Sequence, residues 1–121
     1  MTAPELVAIG LLGGVGSVAR FLLDGAVYRR AGRSFPYGTM VVNLTGSFLL
    51  GLLVGVAAGG GAERLLGTGL LGGYTTFSTW ALESHRLGEA GRVRLAGLNL
   101  AASLLLGLGA AWVGRRLGGA L

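Results

Sequence analysis

The sequence predicts an all-α membrane protein of four transmembrane helices, the third of them broken. Three observations carry that prediction. Of the 121 residues, 52% are hydrophobic and only 12% charged, whereas charged residues make up about a quarter of a soluble domain. The apolar residues fall into four runs, at about 5–23, 38–58, 65–82 and 95–114. Each is near the ~20 residues that cross a ~30 Å hydrocarbon layer as a helix. Within the third run, Gly72 and Gly73 are followed by Tyr-Thr-Thr-Phe-Ser-Thr-Trp at 74–80, a density of hydroxyls that lipid contact does not explain. Four spans consume roughly two thirds of the chain, so residues 1–121 read as one transmembrane domain with no room for a soluble enzyme domain.

The first run holds Arg20 and Asp24, four apart and therefore neighbours on one helical face. They read either as an ion pair that offsets the cost of charge near a span end or as part of a vestibule that attracts anions. Gly14, Gly16 and Ala19 fit a dinucleotide fingerprint, but the ribose-binding carboxylate expected about 20 positions on is missing. After Asp24 the next acidic residue is Glu63. The connection 24–37 carries Arg29, Arg30, Arg33 and Pro36, with Tyr28, Phe35 and Tyr37 suited to a membrane interface.

In the second run Thr39, Asn43 and Ser47 recur at i, i+4 and i+8, one polar stripe along a helix. Gly-Gly-Gly-Ala-Glu-Arg at 59–64 reads as a tight turn into the third run. A polar connection around His85 to Arg94 leads to the fourth, where Asn99 and Ser103 repeat the i, i+4 spacing. Two polar stripes imply a shared seam, used either for interhelical hydrogen bonds or for an ion path. Small residues at Gly10/Gly14, Gly51/Gly55/Gly59 and Gly69/Gly73 supply close helix packing, within the chain or between copies.

An even number of spans puts both termini on one side, with Arg64, Arg115 and Arg116. The other side has Arg29, Arg30, Arg33, Arg86, Arg92 and Arg94, which the positive-inside rule places in the cytoplasm. The net charge of +5 comes from arginines scattered at segment ends rather than from a basic stripe, so no nucleic-acid partner is expected. Those arginines suit lipid headgroups instead. The chain has no cysteine, which removes disulfide, thiolate-metal and redox chemistry. Its start, MTAPEL, lacks the basic region of a cleavable signal peptide. No serine or threonine in the spans has a histidine base beside it in sequence, so an enzyme is not expected.

The third run decides between the two uses of the seam. Gly72-Gly73 invites a helix break, and a break at membrane depth is tolerated where freed backbone groups are buried in protein or line a cavity. Freed carbonyls suit a hard cation such as Na⁺. Beyond the break, Phe77 and Trp80 share a face while Ser78 and Thr79 flank it. Ring edges are the positive part of the aromatic quadrupole, and with hydroxyl and amide donors they favour a small anion that must exchange water for protein contacts. Sites without full charge also release their ion, as conduction requires. Glu83 lies near the same face, as an end-of-span carboxylate paired with an arginine or as a pore-mouth residue.

The segments GGVGSVARF, GTMVVNLTGSFLLG and GGYTTFSTWALES, in this order and spacing, resemble the fluoride channels of the CrcB (Fluc) family over essentially the whole chain. The resemblance implies an antiparallel dual-topology dimer in a bacterial or archaeal cytoplasmic membrane. It would carry two fluoride pores and export toxic fluoride passively. It implies a pore asparagine at Asn43, the first pore phenylalanine at Phe77, a polar track at Ser78 and Thr79, and a fourth-helix polar position at Ser103. Arg20 matches the arginine ending the first span. Backbone carbonyls of Gly72 and Thr75, a pair from each subunit, would hold a structural Na⁺. Where the family commonly has a second phenylalanine, this chain has Trp80, whose indole keeps a ring edge and adds an N–H. The arginine bias leaves open a heterodimer with an oppositely oriented paralogue. Two other readings are a four-span multidrug transporter, which needs a first-span carboxylate that Glu5 and Asp24 are too terminal to supply, and a non-conducting membrane subunit.

Overall fold

The computed structural model describes residues 2–56 and 60–121, and all of its regular structure is helical. Helix α1 (Ala3–Ala31) opens with a reciprocal cap: the Thr2 hydroxyl accepts from the Glu5 N–H, and the Glu5 carboxylate accepts from the Thr2 N–H. This satisfies two of the donors that a helix start leaves orphaned. Helix α2 spans Tyr37–Gly55. The third segment is built in pieces: α3 (Gly60–Glu63), a π-helical stretch over Arg64–Leu71, the single turn α4 (Gly72–Tyr74), three non-helical residues, and α5 (Ser78–Glu89). Helix α6 (Val93–Gly119) completes the chain. Helices α1, α2 and α6 are long and apolar enough to cross a membrane, so the protein is an all-helical, multi-pass membrane protein.

Both longer connections are shorter than the sequence suggests. Helix α1 runs on through Ala31, eight residues past the apolar run, and stops where Gly32 takes a φ of 75°, a left-handed conformation that glycine adopts freely. Beyond it the Arg33 guanidinium sits 3.9 Å from the centre of the Tyr28 ring, and the rings of Phe35 and Tyr37 meet at 4.9 Å. Helix α5 likewise continues to Glu89, with His85 and Glu89 in contact at 2.8 Å. The turn into α6 is made at Gly91, φ 77°. Hydropathy marks where lipid contact ends; hydrogen bonding carries the helices further.

Packing rests on glycine. On one side α2 lies against α6, with Gly51 and Gly55 against the backbone of Ala111 and Arg115, and Gly114 and Gly118 against that of Phe48 and Leu52. A Cβ at any of the four would collide with a carbonyl. On the other side α1 meets the first half of the third segment: Gly16 abuts the Leu70 carbonyl, and Gly73 abuts the Gly13 carbonyl. In lipid such backbone approach substitutes for the hydrophobic effect. The register differs from the sequence expectation. Gly10 and Gly14 face open space, and Gly13 and Gly16 make the contacts. Gly59 lies outside the described residues. An Arg64–Glu5 ion pair at 3.4 Å ties the start of the π-helical stretch to α1.

Candidate functional site

The interruption of the third segment falls at Thr75–Phe77, not at Gly72-Gly73, which are helical. Gly73 is the point where the chain touches α1, so its lack of a side chain serves packing. The chain turns extended at Thr75, with φ −80° and ψ 161°. What holds the interruption open is Asn43 on α2. Its amide nitrogen donates to the Thr76 carbonyl at 2.8 Å, and its amide oxygen accepts from the Thr76 N–H at 2.9 Å. The side chain thus stands in for a backbone neighbour, satisfying both groups of one unwound residue. The Thr76 hydroxyl then accepts from the Thr79 N–H at 3.2 Å, capping the start of α5.

Thr76 was not singled out in the sequence, although a threonine two residues ahead of a helix is a capping signal. Thr75 turns its hydroxyl back to the Leu71 carbonyl at 3.0 Å. Among the described residues no hydrogen-bond donor reaches the carbonyls of Gly72, Tyr74 and Thr75, while that of Gly73 accepts from the Ser17 hydroxyl at 3.3 Å.

A groove of about 420 Å³ runs along this region. Asn43, Gly72, Thr75, Phe77, Trp80 and Ser103 line it, together with Ser47 and the apolar face of α6. Six of the residues expected from sequence therefore share one groove. Phe77 is 75% exposed and meets Trp80 edge to face, centroids 5.4 Å apart at 69°. Ser78 and Thr79 lie just outside the lining.

The Trp80 indole N–H does not face the groove as a free donor; it reaches the Asn99 carbonyl of α6 at 3.2 Å. Asn99, 1% exposed, donates to the Ser84 hydroxyl at 2.8 Å and accepts from Ser103 at 3.4 Å, while Ser84 donates to the Trp80 carbonyl at 2.9 Å. This chain of bonds fixes α5 on α6 and sets the ring of Trp80. Ser84 carried no sequence signal, because its partner stands fifteen residues on.

The charged candidates lie elsewhere. Arg20 is half-buried on α1 and lines none of the cavities described here. It forms no ion pair with Asp24, since the pairs among the described residues are Arg64–Glu5 and His85–Glu89. Asp24 instead packs its carboxylate against Gly38, where a side chain would collide with it. Glu83 is turned away from the groove, into a second cavity of about 380 Å³ that it shares with Asp24, Arg33, Arg86 and Arg92. One of its carboxylate oxygens is buried without a hydrogen-bond partner. Neither Glu83 nor Arg20 forms an ion pair among the described residues.

Long apolar helices around an interrupted segment, with an aromatic and amide-lined groove, define a small multi-pass membrane protein. The chain belongs to the CrcB family: the family model described as CrcB-like protein, Camphor Resistance (CrcB) matches residues 7–115. It is 55% identical over 116 residues to a protein of Mycolicibacterium paratuberculosis named fluoride-specific ion channel FluC 2, covering 96% of this chain and 95% of that one. It is 46% identical to a fluoride-specific ion channel FluC 1 of Leifsonia xyli (98% and 90% covered) and 46% identical to a FluC of Geobacter sulfurreducens (90% and 92%).

Proposed function

We propose that this protein is a fluoride-specific ion channel, not an enzyme, carrying fluoride passively across the cytoplasmic membrane. The carrying observation is the groove lined together by Phe77, Trp80, Asn43 and Ser103, the two rings meeting edge to face; the names of the relatives support it. Fluoride is small and tightly hydrated, so its passage needs substitutes for water. The Asn43 NH₂ group has two donors, one held by Thr76 and one left for an ion. The Ser103 hydroxyl, which donates to the Asn99 amide oxygen at 3.4 Å, lines the same groove and keeps its lone pairs and rotor there. Ring edges complete the shell with partial positive charge. Among the described residues no ionised side chain lines the groove, which keeps binding weak enough for release. A multidrug carrier would need a buried first-span carboxylate, and none lines this path.

The broken third segment counts as the fourth span in this reading, and both termini lie on one side. The groove is open along its length, and a second copy inserted antiparallel would close it, giving two pores per dual-topology dimer. A homodimer is the first reading. The bias of six arginines to three between the two ends favours a heterodimer with a paralogue of opposite orientation as the second. The donor set at the interruption fits a structural Na⁺: carbonyl oxygens of Gly72 and Thr75 lack other partners, and hard cations take such oxygens. A bound Na⁺ would supply a fixed charge pinning the two copies. Ser78 and Thr79 would join the polar track in the dimer, Arg20 would sit at the end of the first span, and Glu83 at a pore mouth.

The test is fluoride-electrode efflux from vesicles loaded with KF or KCl, opened to K⁺ by an ionophore. Rapid fluoride release with chloride retained is expected. Equal release of both ions, or release of neither, overturns the reading.

A further inference from the structure

A third cavity, of about 410 Å³, lies at the arginine-rich end, between the start of α2 and the start of α6. Its body is apolar, formed by Met40, Leu95, Leu98 and Ala102, and its mouth carries Ser34 and Arg92. The rings of Phe35 and Tyr37, tilted at 51° to each other, also line it. At about 100° per residue, Leu95, Leu98 and Ala102 lie on the side of α6 roughly opposite Gly107, Leu108 and Ala111, which line the ion groove. A second copy closing that groove therefore leaves this one facing lipid.

The mouth is built for an anion. Arg92 forms no ion pair among the described residues. It stands at the start of the 27-residue α6, and the start of the 19-residue α2 adjoins the same cavity; neither helix has a side-chain cap. The uncapped start of α6 leaves orphan N–H groups and a positive dipole end beside Arg92, which favours phosphate; the start of α2 is already faced by the Asp24 carboxylate at Gly38.

We infer that this groove is a binding site for an anionic phospholipid, its phosphate held by Arg92 and Ser34 and one acyl chain lying along Met40, Leu98 and Ala102. The division of the cavity into a cationic mouth and an apolar body selects a lipid over a soluble phosphate, which has nothing to place below the mouth. It also selects phosphatidylglycerol over phosphatidylcholine, whose choline brings a positive charge to Arg92.

The experiment uses the full chain in vesicles of phosphatidylcholine with a few per cent phosphatidylglycerol bearing a photoactivatable acyl chain. Crosslinks are expected to concentrate on peptides containing Met40 and Leu95–Ala102, to saturate, and to be displaced by unlabelled phosphatidylglycerol but not by phosphatidylcholine. Arg92→Gln is expected to lower that labelling by about ten-fold at fixed lipid, equivalent to losing ~1.4 kcal/mol, while Arg116→Gln at the opposite end leaves it unchanged. Even labelling along α1 and α6, or displacement by phosphatidylcholine as effective as by phosphatidylglycerol, overturns the site. Since the crosslink map is read on the unaltered chain, it stands even where a variant fails to fold.

Discussion

Asn43 and Thr76, thirty-three residues apart, exchange two hydrogen bonds of 2.8 and 2.9 Å, and through them α2 holds the third segment unwound. The asparagine expected from sequence to touch an ion is thus also the residue that maintains the shape of the groove. An amide is the side chain that matches a peptide group in both donor and acceptor. A carboxylate, which only accepts, would meet only half of Thr76.

Asn43→Ala should therefore fail in two ways. Two lost bonds at about 1 kcal/mol each predict a melting temperature several degrees lower in detergent. Loss of the wall donor predicts fluoride efflux lower by about ten-fold or more, equivalent to ~1.4 kcal/mol on the barrier. Asn43→Asp keeps the acceptor for the Thr76 N–H but sets a carboxylate against the Thr76 carbonyl, and it should be as inactive. Wild-type flux through Asn43→Asp would show that the amide donor has no part in conduction.

Trp80→Phe separates ring from N–H. The phenyl edge still meets Phe77, so fluoride efflux should stay within about three-fold of the original, a change of under ~1 kcal/mol on the barrier. The lost bond to the Asn99 carbonyl should lower stability by about 0.5–1.5 kcal/mol, read as an earlier thermal transition. Trp80→Ala removes the edge as well and should abolish most of the flux. If Trp80→Phe alone stops conduction, the indole N–H reaches the ion and the bond to Asn99 opens during passage.

These relationships mark how far the sequence could be read. The apolar runs, the shared seam and the membership of Asn43, Phe77, Trp80 and Ser103 in one groove were legible, because lipid imposes length on helices and hydroxyls in lipid demand partners. The position of the interruption was not. Gly72-Gly73 looked like a breaker, yet glycine also permits close approach, and only the register against Gly13 says which use prevails. The same ambiguity misassigned Gly10 and Gly14. Apolar runs also underestimate helices whose polar ends leave the lipid, as Asp24–Ala31 and Glu83–Glu89 do. The destination of the Trp80 N–H depended on the pairing of α5 with α6, which no local pattern records.

The glycine contacts predict an asymmetry. Gly73→Ala puts a methyl group into the Gly13 carbonyl and Gly114→Ala puts one into that of Phe48. Overpacking of this kind costs about 1–3 kcal/mol, so both variants should give less monodisperse protein on size exclusion. Gly10→Ala meets open space and should express as the original does. Equal behaviour of the three would mean that the helices do not pack through these faces.

The last prediction separates backbone from side chain at the interruption. If carbonyl oxygens of Gly72 and Thr75 hold Na⁺, replacing external and internal Na⁺ with N-methylglucamine should lower fluoride efflux and loosen subunit association, and added Na⁺ should restore both. The Thr75 hydroxyl is already bonded to the Leu71 carbonyl at 3.0 Å, leaving only its backbone oxygen for a cation. Thr75→Val keeps that oxygen and nearly the same shape. It should leave the Na⁺ concentration for half-maximal restoration within about two-fold, less than ~0.5 kcal/mol, while the lost hydroxyl bond lowers stability by about 1 kcal/mol. A valine variant that no longer responds to Na⁺ would identify the hydroxyl as the ligand and remove the carbonyl site.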